Sequence, residues 1–169
     1  MRKLLSFLLI LCIYSLTACT STATEHEIIS KDLGVDVSKG QVQIYRDDHG
    51  GFHGDGETYA KITFSDESFY NAIQNNAEWA RLPLTQILTV VVYGGTLPNG
   101  DSWESFIKDE DDKLLIPSIS DGYYFFKDRH IESKSEKEDS PIFDRYSMNF
   151  TLAIYDSQSK VLYFYEIDT

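Results

Sequence analysis

The sequence predicts an α+β domain, a mainly antiparallel sheet of about five strands packed against one or two helices. Three observations carry this reading. Tyr146, Met148, Phe150, Leu152 and Ile154 alternate with Ser147, Asn149, Thr151 and Ala153, the period of two that marks a strand. Leu84, Ile87, Leu88, Val91 and Val92 instead recur at i, i+3, i+4, i+7 and i+8, the period of one helical face. Eleven of the 23 aromatic residues follow residue 120, which centres the expected core on the last strands.

The remaining elements follow in chain order. Residues 41–46 and 58–64 alternate as strands, with Val42 and Ile44 on one face of the first and Ala60, Ile62 and Phe64 on one face of the second. A glycine-rich connection joins them. Ser65 offers an N-cap, Asp66 and Glu67 suit the positive end of a helix dipole, and Phe69, Ala72, Ile73 and Ala77 share a face, so a helix is predicted to about Asn76. Pro83 is acceptable in the first turn of the next helix and Gly94 ends it. The β-branched run at 89–92 competes for strand there, and the periodicity decides for helix. Residues 123–127 (YYFFK) read as a strand, and residues 156–159 turn the strand ending at Ile154 into a hairpin partner over 160–167. An Asn149-Phe150-Thr151 sequon falls inside that strand and is discounted.

Charge and composition exclude several function classes. With 15 Lys+Arg against 27 Asp+Glu the chain carries −12, which argues against nucleic acid as a partner because phosphate recognition needs a clustered basic surface. The aromatic content excludes a disordered acidic tail. Two cysteines cannot build a disulfide scaffold.

The N-terminus is the most informative stretch. Met1-Arg2-Lys3 is a short basic region, and residues 4–16 (LLSFLLILCIYSL) form an apolar run of 13 residues, the anatomy of a signal peptide. A spanning helix needs about 20 apolar residues. Leu16-Thr17-Ala18-Cys19 then resembles the lipobox of bacterial lipoproteins at all four positions. That resemblance implies a diacylglycerol thioether on Cys19, cleavage between Ala18 and Cys19, and acylation of the new amino group. Two or more acyl chains hold a protein on a bilayer where one does not. The implied location is therefore the extracytoplasmic face of the cell membrane. Position 20 is Thr rather than Asp, so in a two-membrane cell the usual inner-membrane retention signal is missing and the outer membrane becomes the destination.

Cleavage divides the chain into a signal peptide at 1–18, a lipidated tether at 19–32 that begins with small polar residues and lacks a convincing apolar period, and a single domain at 33–169. Loss of Arg2 and Lys3 moves the formal charge from −12 to −14, and Cys12 leaves with the signal. The one remaining cysteine is blocked by lipid, which removes thiol catalysis and Cys-ligated zinc.

Four of the ten glycines and two of the four histidines fall within residues 47–57 (DDHGGFHGDGE). As a metal loop it offers the right donors, but the i, i+4 spacing of His49 and His53 suits a helix, which the glycines oppose, and no EF-hand ladder fits. As a hairpin connection it needs only glycine φ angles and Asp side chains bonded to nearby backbone. The third reading makes His49, Phe52, His53 and Asp55 contacts for a ligand or partner. Six acids against one Lys between residues 101 and 112 read as a solvated loop, with a weak calcium site as the alternative, and residues 133–140 are a further polar loop. Ser65 and Ser147 lack a nucleophile elbow and a histidine in recognisable sequence relation, and no phosphate or dinucleotide fingerprint is present.

The run DDHGGFHGDGE, followed by Trp79-Ala80-Arg81-Leu82-Pro83-Leu84 and Tyr93-Gly94-Gly95, resembles a group of small uncharacterised lipoproteins of Gram-positive bacteria. It covers most of the chain from about Asp32 and implies an envelope location and no activity. The expected function is a non-catalytic binding or accessory protein of the cell envelope, without cofactor or metal. Its partners would be the bilayer through Cys19 and an envelope protein, a cationic peptide or a metal ion. A small envelope hydrolase or a metal-binding protein using His49, His53 and Asp55 is the alternative.

Overall fold

The computed structural model describes residues 23–50 and 54–169. The lipobox, Cys19 and the rest of the signal segment lie outside the described residues, as do Phe52 and His53. No helix among the described residues is long and apolar enough to cross a membrane.

A six-stranded, wholly antiparallel sheet forms the centre, in the order β1-β2-β8-β7-β6-β3. Its strands are β1 (Gln41–Asp47), β2 (Gly56–Thr63), β3 (Trp79–Arg81), β6 (Gly122–Asp128), β7 (Asn149–Asp156) and β8 (Val161–Asp168). A separate two-stranded ribbon pairs β4 (Gly95–Thr96) with β5 (Ser102–Trp103). Among the described residues three short α-helices, α1 (Glu25–Leu33), α2 (Ser68–Ile73) and α3 (Gln86–Tyr93), and a 3-10 turn at Ile142–Asp144 complete the α+β fold.

Helices and loops cover both faces of the sheet, so its middle strands are apolar on both sides. On the first face, Ile29 and Leu33 of α1 and Phe69 and Ile73 of α2 pack on Ala60, Ile62, Phe64, Ala153, Tyr155, Leu162 and Phe164. On the second, Leu88, Val91 and Val92 of α3, with Ile107, Ile116 and Ile142 from loops, pack on Tyr59, Phe150, Leu152, Ile154, Tyr163 and Tyr165. The β7–β8 hairpin is paired over its full length and supplies side chains to both cores. At Gly122 the chain leaves no room for a side chain. A Cβ there would lie 1.9 Å from the Tyr155 carbonyl oxygen, and φ is +153°.

Several expectations are corrected. The segment expected to be tether contains α1, which begins at Glu25 with a capping box between Thr24 and Glu27 and buries Ile29 and Leu33. The folded unit therefore starts near Thr24 rather than Leu33. Val42 and Ile44 do not share a face. A bulge between them shifts the register, so Val42 joins the first core and Ile44 the second. Helix α2 starts at Ser68, where the Asp66 carboxylate accepts the Ser68 amide, and ends at Ile73, so Ser65 is not its cap. Helix α3 forms where helix was favoured over strand, but Thr85 caps it and Pro83 precedes it. Tyr146 is 84% exposed and lies outside β7.

Candidate functional site

The β1–β2 connection is held by its own aspartates. Asp47 Oδ1 accepts the His49 amide at 3.1 Å, Asp48 accepts the Glu57 amide, and backbone bonds join Asp48 to Glu57 and Gly50 to Asp55. Of the four loop residues singled out by sequence, His49 and Asp55 are described, and both lie near Asp168. Asp55 is exposed and borders a surface cavity with Asp48, Asp168 and Thr169. His49 turns onto the first face of the sheet. Among the described residues no group of three or more His, Cys, Asp or Glu side chains is arranged to hold a metal.

His49 enters a charged network at the end of the first face, beyond the apolar core. Its Nδ1 lies 2.8 Å from Asp47 Oδ1, and its Nε2 lies 3.4 Å from Asp168 Oδ2, an ion-pair distance. Arg129, just past β6, donates to both Asp168 oxygens at 2.9 and 3.1 Å, to Thr151 Oγ1 at 3.1 Å, and pairs with Glu166 at 2.9 Å. Strand alternation explains the convergence, because Glu166, Asp168, Thr151 and Thr58 occupy the same face as Phe164, Ala153 and Ala60. Burial raises the Glu166 pKa, and Asp32 and Asp168 add to it against the pull of Arg129. Asp32, at the C-terminal end of α1, is likewise raised by burial despite Arg129. Burial pulls His49 down, but the hydrogen bond and charge of Asp47, with Asp168 and Glu166, outweigh it and hold His49 above its ordinary value.

On the second face the same strand ends form an open cleft of about 600 Å³. It is lined by Asp47, Asp48 and Glu57 from the β1–β2 end, by Lys108, Asp109 and Glu110 from the second acidic segment, by Arg46, and by Tyr59 and Tyr165. Two acidic segments about fifty residues apart in sequence thus line one cleft. Burial and the charge of Asp48 raise the Glu57 pKa, against the pull of the nearby Tyr165 hydroxyl, which itself donates to the Phe106 carbonyl at 3.5 Å. Burial pushes the Tyr59 hydroxyl up to about 12, and that hydroxyl donates to the Leu115 carbonyl at 3.0 Å. Burial and Glu57 push Tyr165 up as well. Neither tyrosine ionises near neutral pH. The second acidic segment is a built turn, in which Asp109 Oδ1 accepts the amides of Asp111 and Lys113. Lys108 is held between Glu104 at 2.8 Å and Asp112 at 2.9 Å.

One serine does acquire a histidine that its sequence position concealed. His130 Nε2 lies 3.1 Å from Ser147 Oγ, seventeen residues away. The Glu132 amide donates to His130 Nδ1 at 3.2 Å, so the proton of a neutral ring sits on Nε2 and is given to the serine. A histidine in that tautomer cannot withdraw the serine's proton, and the pair is an orienting hydrogen bond.

Sequence reasoning missed Arg129, Glu166, Asp168 and Asp32 as members of a site. Each is ordinary in sequence, and only the register of β7 and β8 and the placement of α1 bring them together. Searches for likeness to known proteins return no match to a protein-family model, to a curated protein or to a solved structure.

Proposed function

We propose that the chain is a lipid-anchored protein of the extracytoplasmic face of a bacterial membrane, a non-catalytic binding or accessory protein whose cleft takes a cationic peptide segment. The anchoring half of the reading rests on the signal anatomy and Leu16-Thr17-Ala18-Cys19. The binding half is carried by the cleft of about 600 Å³, in which Asp48, Glu57, Asp109 and Glu110 outnumber Arg46 and Lys108 beside an aromatic lining. Such a lining offers ring faces to Lys and Arg side chains, and the carboxylates attract them from a distance. The formal charge of −14 that cleavage would leave keeps the domain off anionic polymers and favours cationic partners.

The anchor is tested by Cys19→Ser, expected to leave the precursor uncleaved or to release it from membranes. Normal cleavage and retention would overturn the mechanism. The cleft is tested by titrating the lipidated protein in detergent micelles with an oligolysine peptide at low and high salt. Binding is expected to weaken with salt and to be lost in Glu57→Gln/Asp109→Asn/Glu110→Gln. Unaltered binding by that triple variant would exclude the cleft.

A further inference from the structure

We infer that the lipid anchor holds the domain with its β1 edge toward the bilayer and its β3 edge away from it. The inference rests on acylation of Cys19 as proposed above, and adds to it the placement of α1. That helix crosses the first face of the sheet. At its N-terminal end His26 Nε2 lies 2.9 Å from the carbonyl oxygen of Gly40, the residue before β1, and Glu25 is one of the charges that raise the pKa of Tyr45 on β1, after burial and Asp47. At its C-terminal end Asp32, Leu33 and Gly34 line a cavity with Glu78, just before β3, and Phe125 and Lys127 of β6. The chain therefore enters the fold at the β1 edge.

Length decides the rest. Thr24 caps α1 and is five peptide units from Cys19, so whatever their conformation these units span at most about 18 Å. From β1 to β3 the sheet covers five interstrand spacings, about 24 Å. With the β3 edge against the bilayer, Thr24 would stand farther from the lipid than the leash reaches. With the β1 edge toward the bilayer the leash suffices. The bilayer then faces the edge of β1, which pairs with no further strand among the described residues, and the cleft bordered by Arg46 and Asp48 opens close to the membrane surface.

The test uses the full lipidated chain. Gln43→Cys on β1 and Ala80→Cys on β3 place exposed thiols at the two edges, with Cys12 removed and Cys19 acylated, so each variant takes one thiol-reactive fluorophore. In phosphatidylcholine–phosphatidylglycerol vesicles containing a headgroup-nitroxide lipid, most of the emission at position 43 should be quenched and little at position 80. Inserting about 15 Gly/Ser residues between residues 22 and 23 should erase the difference, because the leash no longer restrains orientation. Equal quenching without the insertion, or stronger quenching at 80, in protein that floats with the vesicles and carries the lipid mass on Cys19 would overturn the orientation and leave the anchor standing. Protein that neither floats nor carries that mass would refute the anchor and the orientation with it.

Discussion

The two faces of the sheet meet water differently at the same strand ends. On the first face, charges close on one another: Arg129 satisfies Glu166 and Asp168, and Asp168 and Asp47 flank His49. On the second face, carboxylates line an open cleft with fewer cations than anions. Adjacent residues of one strand separate the two, since Glu166 and Asp168 point to the network while Tyr165, just before them, lines the cleft. A closed network is costly to break, whereas an open excess of like charge serves recognition at some expense of stability.

The largest effect should come from removing what both regions share. Truncation after residue 161 deletes nearly all of β8, which lies between β2 and β7 and supplies Leu162 and Phe164 to one core and Tyr163, Tyr165 and Ile167 to the other. Complete loss of the cooperative unfolding transition is expected, read by near-UV circular dichroism. A retained transition would mean that the faces fold independently of β8.

The next variant separates the regions. Arg129→Met leaves Glu166 and Asp168 partly buried without their cation, and should destabilise the domain by about 2–3 kcal/mol, below the ~3–5 kcal/mol of a fully buried pair, in urea denaturation. Lys108→Met, on the cleft side, removes a lysine whose partners Glu104 and Asp112 are 88% and 85% exposed, and should leave the midpoint close to wild type. Equal losses from the two would erase the distinction between network and cleft.

Neutralising the cleft should act with the opposite sign. Glu57 has a raised pKa in the folded state, so its carboxylate is less stable there than in the unfolded chain. The sheet therefore loses stability as pH rises through the window above about 4.5. Glu57→Gln should raise the melting temperature slightly at pH 7, and the gain should vanish below pH 4, where both forms are neutral. A lowered melting temperature at pH 7 would show that the Tyr165 contact outweighs burial.

Strands with clean alternation were legible in the sequence, and so was α3, which contains four of the five periodic apolar positions, Leu84 standing just before its cap. Helix α1 carried a readable signal as well: Thr24 and Glu27 form a capping box and Ile29 and Leu33 stand four apart. Small polar residues upstream masked it. Strand β3 has only three residues, too few for a period, and is fixed by Trp79 packing against Phe69 and Phe125. The bulge in β1 is invisible to a pattern that assumes strict alternation. For the sites, sequence marked residues 47–57 and 101–112 as separate acidic loops, and their meeting across Tyr59 and Tyr165 depends on long-range packing. The Arg129 network depends on register alone, which no local motif encodes.

The smallest effect is the most specific to the network. His49 has a carboxylate near each ring nitrogen, Asp47 at Nδ1 and Asp168 at Nε2, and a neutral imidazole can donate to only one of them. Nε2 makes no hydrogen bond to Asp168 at 3.4 Å, so the charge of that carboxylate, not a second bond, favours the imidazolium, in keeping with the raised pKa that Asp47, Asp168 and Glu166 impose against burial. A histidine whose folded pKa is raised contributes stability that is fully present below its unfolded value of about 6.5 and is lost as pH rises through the folded value. Wild type should exceed His49→Gln in stability at pH 6, and the gap should close as pH passes upward from 6.5, a window separate from that of Glu57. Chemical denaturation across pH 5–9, with the imidazole titrated by NMR, reads both quantities. A gap independent of pH, or a pKa at or below 6.5, would mean that Arg129 already neutralises Asp168 and that His49 is held by Asp47 alone.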